Sequence, residues 1–125
     1  MEPRAVVTEL WRRIQARDWD GVGELLAEDF VLDFPDTQQR ICGRTNYVEF
    51  NRNYPEGWSI ELLSVLADRD RVVSEVRVPH AELGEFFAIS LFEIQDGRIA
   101  GGREYWLQES PEEPTGWRAQ WVERM

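Results

Sequence analysis

The chain is poor in the residues that hold small folds together covalently or through metals. Cys42 is its only cysteine and His80 its only histidine among 125 residues. A single thiol excludes an intrachain disulfide and suits a reducing, cytoplasmic setting. One Cys and one His cannot build an ordinary zinc site, and no carboxylate spacing suggests another metal. Positive charge is scarce too: 14 basic against 24 acidic residues leave a formal net charge of −10. That field repels phosphate backbones and anionic lipid, so neither nucleic acid nor a membrane is an expected partner. No apolar run approaches the roughly 20 residues of a membrane helix. No apolar stretch follows a basic one near Met1, so a secretory signal is not expected. No glycine-rich turn opens a helix either. Gly101-Gly102 sits in a strand pattern, where it suits a bulge or close packing rather than phosphate binding. No cofactor is expected.

What is present is apolar and aromatic. A hydrophobic fraction of 42% and an aromatic fraction of 12%, with six Trp, supply a core for one domain over residues 1–125. Val6, Val7, Leu10, Trp11 and Ile14 recur at helical spacing across Pro3 to Arg17. Asp20 is positioned to cap a second short helix carrying Val22, Leu25 and Leu26. Asp29 to Phe34 reads as a strand stopped by Pro35, and Asp36 to Gly43 as a polar loop. Thr45 is positioned to cap a third helix through Tyr47, Val48 and Phe50, ended by Pro55-Glu56-Gly57.

Strand patterns follow. Ser59 to Leu66 and Val72 to Val78 flank a charged turn at Asp68 to Arg71. His80 to Gly84 leads, as a surface loop, into a long hairpin from Glu85 to Trp106. Its turn is Asp96-Gly97, a pair that accepts the positive φ of tight hairpins. Both faces of Phe86 to Ile94 are apolar, so both should be covered. Strict alternation puts Gly102, Glu104 and Trp106 on one face of the return strand, and Ile99, Gly101, Arg103 and Tyr105 on the other. A carboxylate in such a strand is costly to bury alone, which singles out Glu104. Trp117 and Trp121, four apart after an acidic stretch, suit one helical turn docked on the body, so the tail 109–125 is expected to pack against a core spanning about 5–108. Helices first and antiparallel strands afterwards argue for α+β, with a bent sheet wrapped as a cone around the N-terminal helices. Such a cone has an open, mostly apolar cavity.

Several stretches together carry a family resemblance: ARDWDGVGELLAEDF, the strand ending at Pro35, the Gly43-Arg44 pair before the third helix, and FEIQDGRIAGGREYW. They are similar to the nuclear-transport-factor-2-like superfamily, and within it to the SnoaL-like branch, over about residues 5 to 108. The resemblance implies a curved mixed sheet, a deep pocket between sheet and helices, and a homodimer formed through the sheet's outer face. The superfamily holds ketosteroid isomerases, limonene-epoxide hydrolases, polyketide cyclases and dehydratases, as well as members without activity. Against the epoxide hydrolases, Glu104 matches the final-strand acid and Arg77 the central Arg, while the second Asp falls on Pro79. Their water-positioning Tyr and Asn fall on Val31 and Asp33. Against the ketosteroid isomerases, the base falls near Phe34 and the oxyanion donor on Ser90. In the polyketide cyclases a carboxylate from the same wall acts, and Glu104 can stand in for it.

These matches define the expected site. Glu104 would handle a proton, Arg77 would orient it or stabilise negative charge, and Asp33 or Ser90 would assist. A structural ion pair between Glu104 and Arg77 is the competing reading. Tyr47, Trp58, Phe86, Ser90, Phe92 and Trp106 are the expected lining for a hydrophobic small molecule. The function expected is binding of such a molecule, with cofactor-free hydrolysis, isomerisation or cyclisation if the protein is an enzyme. The alternative is a non-catalytic ligand-binding or dimeric scaffold protein.

Overall fold

The computed structural model describes residues 1–125. Three helices come early: α1 (Pro3–Gln15), α2 (Trp19–Glu24) and α3 (Arg44–Arg52). Six strands make one mixed sheet: β1 (Leu26–Phe34), β2 (Gln39–Cys42), β3 (Glu61–Asp68), β4 (Arg71–His80), β5 (Gly84–Gln95) and β6 (Arg98–Gln108). Their order is β2-β1-β6-β5-β4-β3. Neighbours are antiparallel except β1 and β6, which run parallel. The result is the α+β architecture expected, an open curved sheet with the helices on its inner face.

Local chemistry explains most elements and corrects some expectations. Pro3 starts α1, where its missing N–H costs nothing. The apolar stripe of α1, Val6, Val7, Leu10, Trp11 and Ile14, is buried throughout. Asp18, not Asp20, caps α2, its carboxylate accepting from the Gly21 N–H at 3.1 Å. Thr45 is not the cap of α3 either: Gly43 holds that position at φ 91° with no side-chain hydrogen bond. The expected polar loop 36–43 contains β2, whose exposed edge carries only Ile41 inward. The Asp96-Gly97 turn forms as read, with φ of 51° and 77°.

One irregularity decides which side chains face the core. Ile94 pairs with Ile99, but Glu93 pairs with Gly101, so Ala100 is an extra residue in β6. Ile99 therefore points inward and is fully buried, against the plain alternation that put it on the face opposite Glu104. Past the bulge the parity flips, and Gly102, Glu104 and Trp106 share the inner face with Phe92, Ser90 and Ala88. Gly101 and Gly102 let the chain through this crowded point. A Cβ at Gly101 would stand 2.4 Å from the Val31 carbonyl oxygen, and one at Gly102 would stand 2.0 Å from that of Leu91.

The core lies between α1 and the inner face of the sheet, with Phe30 and Phe92 among its largest fully buried side chains. Each such ring contributes about 1.5–3 kcal/mol by leaving water. Trp11 is anchored by its own polar end, donating from Nε1 to the buried Ser74 Oγ at 3.0 Å. Residues 109–125 behave differently. The last backbone tie to the body is the Glu109 N–H to the Glu85 carbonyl at 2.8 Å. A single 3-10 turn follows at Gly116–Arg118, and Trp117 and Trp121 are 85% and 74% exposed. The tail of this chain does not dock on its own body, because those rings meet no apolar surface there.

Candidate functional site

An apolar cavity of about 320 Å³ opens between α1, α3 and the inner face of the sheet. Trp11 and Ile14 of α1, Tyr47 and Phe50 of α3, and Phe86 and Trp106 of the hairpin form its walls. Tyr54 and Trp58, from the segment after α3, close one side. The exposed Asp36 and Thr37, from the turn between β1 and β2, bring polarity to the solvent end. The volume falls within the usual range for small-molecule sites.

Glu104 is the carboxyl inside this hollow, only 3% exposed. Two neighbours hold it. Ser90, its partner across the hairpin, donates from Oγ to one carboxyl oxygen at 2.6 Å. Trp106, two residues on and on the same face, donates from Nε1 to the other at 2.7 Å. Burial raises the Glu104 pKa above the ordinary glutamate value, against the lowering effect of those two donors. Tyr47 is pushed well above its ordinary value, first by burial and then by the charge of Glu104. The phenol therefore stays neutral and remains a hydrogen-bond donor.

Trp58 adds a second polar feature. Its ring packs at 6.0 Å from Tyr54, and the Arg17 guanidinium stacks on it at 3.3 Å from the ring centre. Arg17 is itself fixed by Glu56 at 2.8 Å and by the Trp58 carbonyl at 2.8 Å. The indole is thus rigidly placed, yet its Nε1 is buried without any hydrogen-bond partner. Such orphans are rare and costly in a folded chain.

Tyr47, Trp58, Phe86 and Trp106 stand in the cavity wall as the sequence suggests. Ser90 lies behind Glu104 rather than in the wall. Phe92 is one step deeper, packed against Trp11 at 6.5 Å in the core. Arg77 does not meet Glu104. On β4, Val72, Ser74, Val76, Val78 and His80 point inward and are buried, so Arg77 points out. It pairs there with Glu85 at 2.9 Å and Glu61 at 4.0 Å. Asp33 is outside for the same reason: Phe30, Leu32 and Phe34 take the inward positions of β1. Its partner is Arg40 of β2, at 2.5 and 3.1 Å.

His80 is not a surface residue. It is 4% exposed, with Nδ1 accepting from the Glu82 and Leu83 N–H groups at 3.1 and 3.2 Å. Nε2 is therefore the protonated nitrogen, donating to the Pro55 carbonyl at 2.8 Å. The imidazole ties the loop after α3 to the end of β4. No group of three or more His, Cys, Asp or Glu side chains forms a metal site. No helix is long and apolar enough to cross a membrane.

Residues 7–102 match the model of the SnoaL-like domain. The chain belongs to the SnoaL-like family. Solved structures of similar proteins agree in shape. A candidate ketosteroid isomerase from Kribbella flavida is 30% identical, with a TM-score of 0.89 over 98% of this chain and 89% of its own. A nuclear-transport-factor-2-like protein of unknown function from Burkholderia xenovorans is 22% identical, with a TM-score of 0.77 over 98% of this chain and 94% of its own. An epoxide hydrolase from M. tuberculosis resembling limonene-epoxide hydrolase is 25% identical, with a TM-score of 0.70 over 83% of this chain and 81% of its own. No curated protein matches this SnoaL-like chain by sequence.

Proposed function

We propose that this SnoaL-like protein binds a flat hydrophobic molecule carrying a carbonyl or similar oxygen, and that Glu104 moves a proton on it. The observation that supports this most is the buried carboxyl, fixed on both oxygens, in an otherwise apolar hollow. Each carboxyl oxygen accepts one hydrogen bond and keeps a lone pair free. With its pKa raised, Glu104 is a stronger base than a surface carboxylate and a ready acid once protonated. On an enolisable ketone, Glu104 would take the proton from the α-carbon. The electron pair of that C–H bond would move to the carbonyl oxygen as an enolate. The same carboxyl would then return the proton, to the original carbon or to a conjugated one. Tyr47, neutral because buried and standing in the cavity wall, is the donor suited to the developing oxyanion. This step needs no cofactor and no help from Arg77. The similarity to the candidate isomerase from Kribbella flavida supports choosing a ketone in this reading. The outer face of the sheet, with exposed Leu66, Val73 and Leu107, is assigned to a second copy of the chain.

A second reading, ligand binding without turnover, is favoured by one feature. Arg77 and Asp33 lie outside the cavity, so Glu104 works without an ionised partner. One experiment separates the two. Cyclic aromatic ketones such as 1-tetralone are incubated with the protein in D₂O, and α-deuteration is followed by NMR. Binding is read separately from quenching of tryptophan fluorescence. Wild type is expected to accelerate exchange, and Glu104→Gln to slow it by about 100-fold or more while still binding the ketone. Binding without accelerated exchange supports the second reading. Exchange that survives Glu104→Gln removes the proposed role of the carboxyl.

A further inference from the structure

The cavity has an electrical character that proton transfer at its floor does not use. No lysine, arginine or histidine lines it, and its two charged side chains, Asp36 and Glu104, are both acidic. Glu104 is engaged by Ser90 and Trp106. Asp36 makes no ion pair. The arginines of the neighbouring segments are committed elsewhere. Arg40 pairs with Asp33 at 2.5 Å, Arg52 with Glu49 at 3.3 Å, and Arg17 with Glu56 at 2.8 Å. A carboxylate at the rim of an apolar cavity is therefore left without a counter-charge.

A lone exposed Asp on a turn is ordinary. This one lines a cavity together with two aromatic rings from its own end of the wall. Phe34 precedes it by two residues on β1, and Phe50 of α3 packs on Phe34 with ring centres 5.7 Å apart. Phe50 is 49% exposed, so part of its ring is open to a ligand. The face of an aromatic ring is electron-rich and attracts cations. Carboxylate and rings thus favour the same sign of charge, and no basic side chain in the wall opposes them. The net charge of −10 draws cations toward the opening and repels anions. Depth sets where such a charge would lie. Tyr47 and Glu104 are 2% and 3% exposed, whereas Asp36 and Thr37 are open to solvent. A molecule whose carbonyl reaches Tyr47 and Glu104 presents its opposite end to Asp36.

We infer that the ligand of this cavity carries a cationic amine at the end remote from its carbonyl, held at the mouth by Asp36 and the rings of Phe34 and Phe50. The inference rests on the proposed function for the carbonyl end, and it makes Asp36 the residue that sets specificity. The test uses the full chain and three ketones that differ only at the position pointing away from the carbonyl. They are 6-(aminomethyl)-1-tetralone, a cation at neutral pH, the neutral 6-(hydroxymethyl) compound, and the 6-carboxylate. Dissociation constants are read from quenching of tryptophan fluorescence at about 0.3 M salt, where distant charges are screened. The ammonium compound is expected to bind at least threefold more tightly than the hydroxymethyl compound and at least tenfold more tightly than the carboxylate, since reversing the sign counts attraction and repulsion together. Asp36→Asn should bring the three within about twofold of one another. An ammonium compound no tighter than the hydroxymethyl one, or a preference that survives Asp36→Asn, overturns the amine site and leaves the Glu104 exchange experiment untouched. Binding of the ammonium compound without any accelerated exchange of 1-tetralone supports the amine site and counts against the proton transfer. If none of the three binds, both fall.

Discussion

A carboxyl buried with two neutral donors and no cation is costly in its charged form, so Glu104 links stability to pH. Its pKa is raised in the folded chain. Below the unfolded value of about 4.5 both states carry the proton, and the contribution is fully present. As pH rises from there through the folded value, the unfolded chain loses its proton first and stability falls. Glu104→Gln removes this dependence while keeping a similar network, since the amide oxygen can face Trp106 and the amide N–H can face Ser90 Oγ. Urea melts across this range should show the variant gaining on wild type as pH increases, and ligand-free protein is sufficient. Equal pH profiles for the two proteins would mean that Glu104 ionises as freely in the fold as in water. The cost and the reactivity proposed for this residue share one origin, because the environment that penalises the anion also makes it basic.

At the scale of elements, β6 carries the constraint. Its bulge at Ala100 turns Ile99 and Glu104 to the same side, although their spacing in a regular strand would separate them. Gly102→Ala would put a methyl 2.0 Å from the Leu91 carbonyl oxygen, so the backbone has to shift. A loss of about 1–3 kcal/mol in chemical denaturation is expected, typical of overpacking at a site with rigid neighbours. The same strand shows what a sequence can and cannot say here. The Asp96-Gly97 turn, the hairpin and the inward Trp106 were legible from turn chemistry and alternation. The meeting of Ser90 with Glu104 was not, since an unbulged two-residue hairpin sets Glu104 opposite the outward Ile89. Arg77 was misplaced for a related reason: Glu75 and Arg77 share a parity, and only the burial of Val76, Val78 and His80 shows which side is the interior. Gly101-Gly102 signalled the bulge, but its exact place needed the register. The edge strand β2 was hidden by its polar, solvent-facing residues. The orphan Trp58 N–H had no signal at all in the sequence, because it depends on what is missing around it.

For the molecule as a whole, the outer face is the unfinished surface. Phe87 of β5 stands between Arg77 of β4 and Leu107 of β6 on that face, beside the Arg77–Glu85 ion pair. If a second copy covers it, Phe87→Lys should shift the protein toward monomer in sedimentation, raising the dissociation constant by at least tenfold, without altering tetralone binding in the cavity. A net charge of −10 makes the same association sensitive to salt, with screening favouring the pair. On the proposed reading, the inner and outer faces of one sheet take separate duties, chemistry on the concave side and assembly on the convex one.

The parallel contact between β1 and β6 has its own bearing on how the protein is made. The first strand of this sheet to be made lies beside the last. Until β6 is available, β1 has only the short β2 for a neighbour, and the hollow has no floor. The acid, its serine and its indole therefore come together only once β6 has been made, so a nascent chain exposes greasy walls before its buried carboxyl is in place.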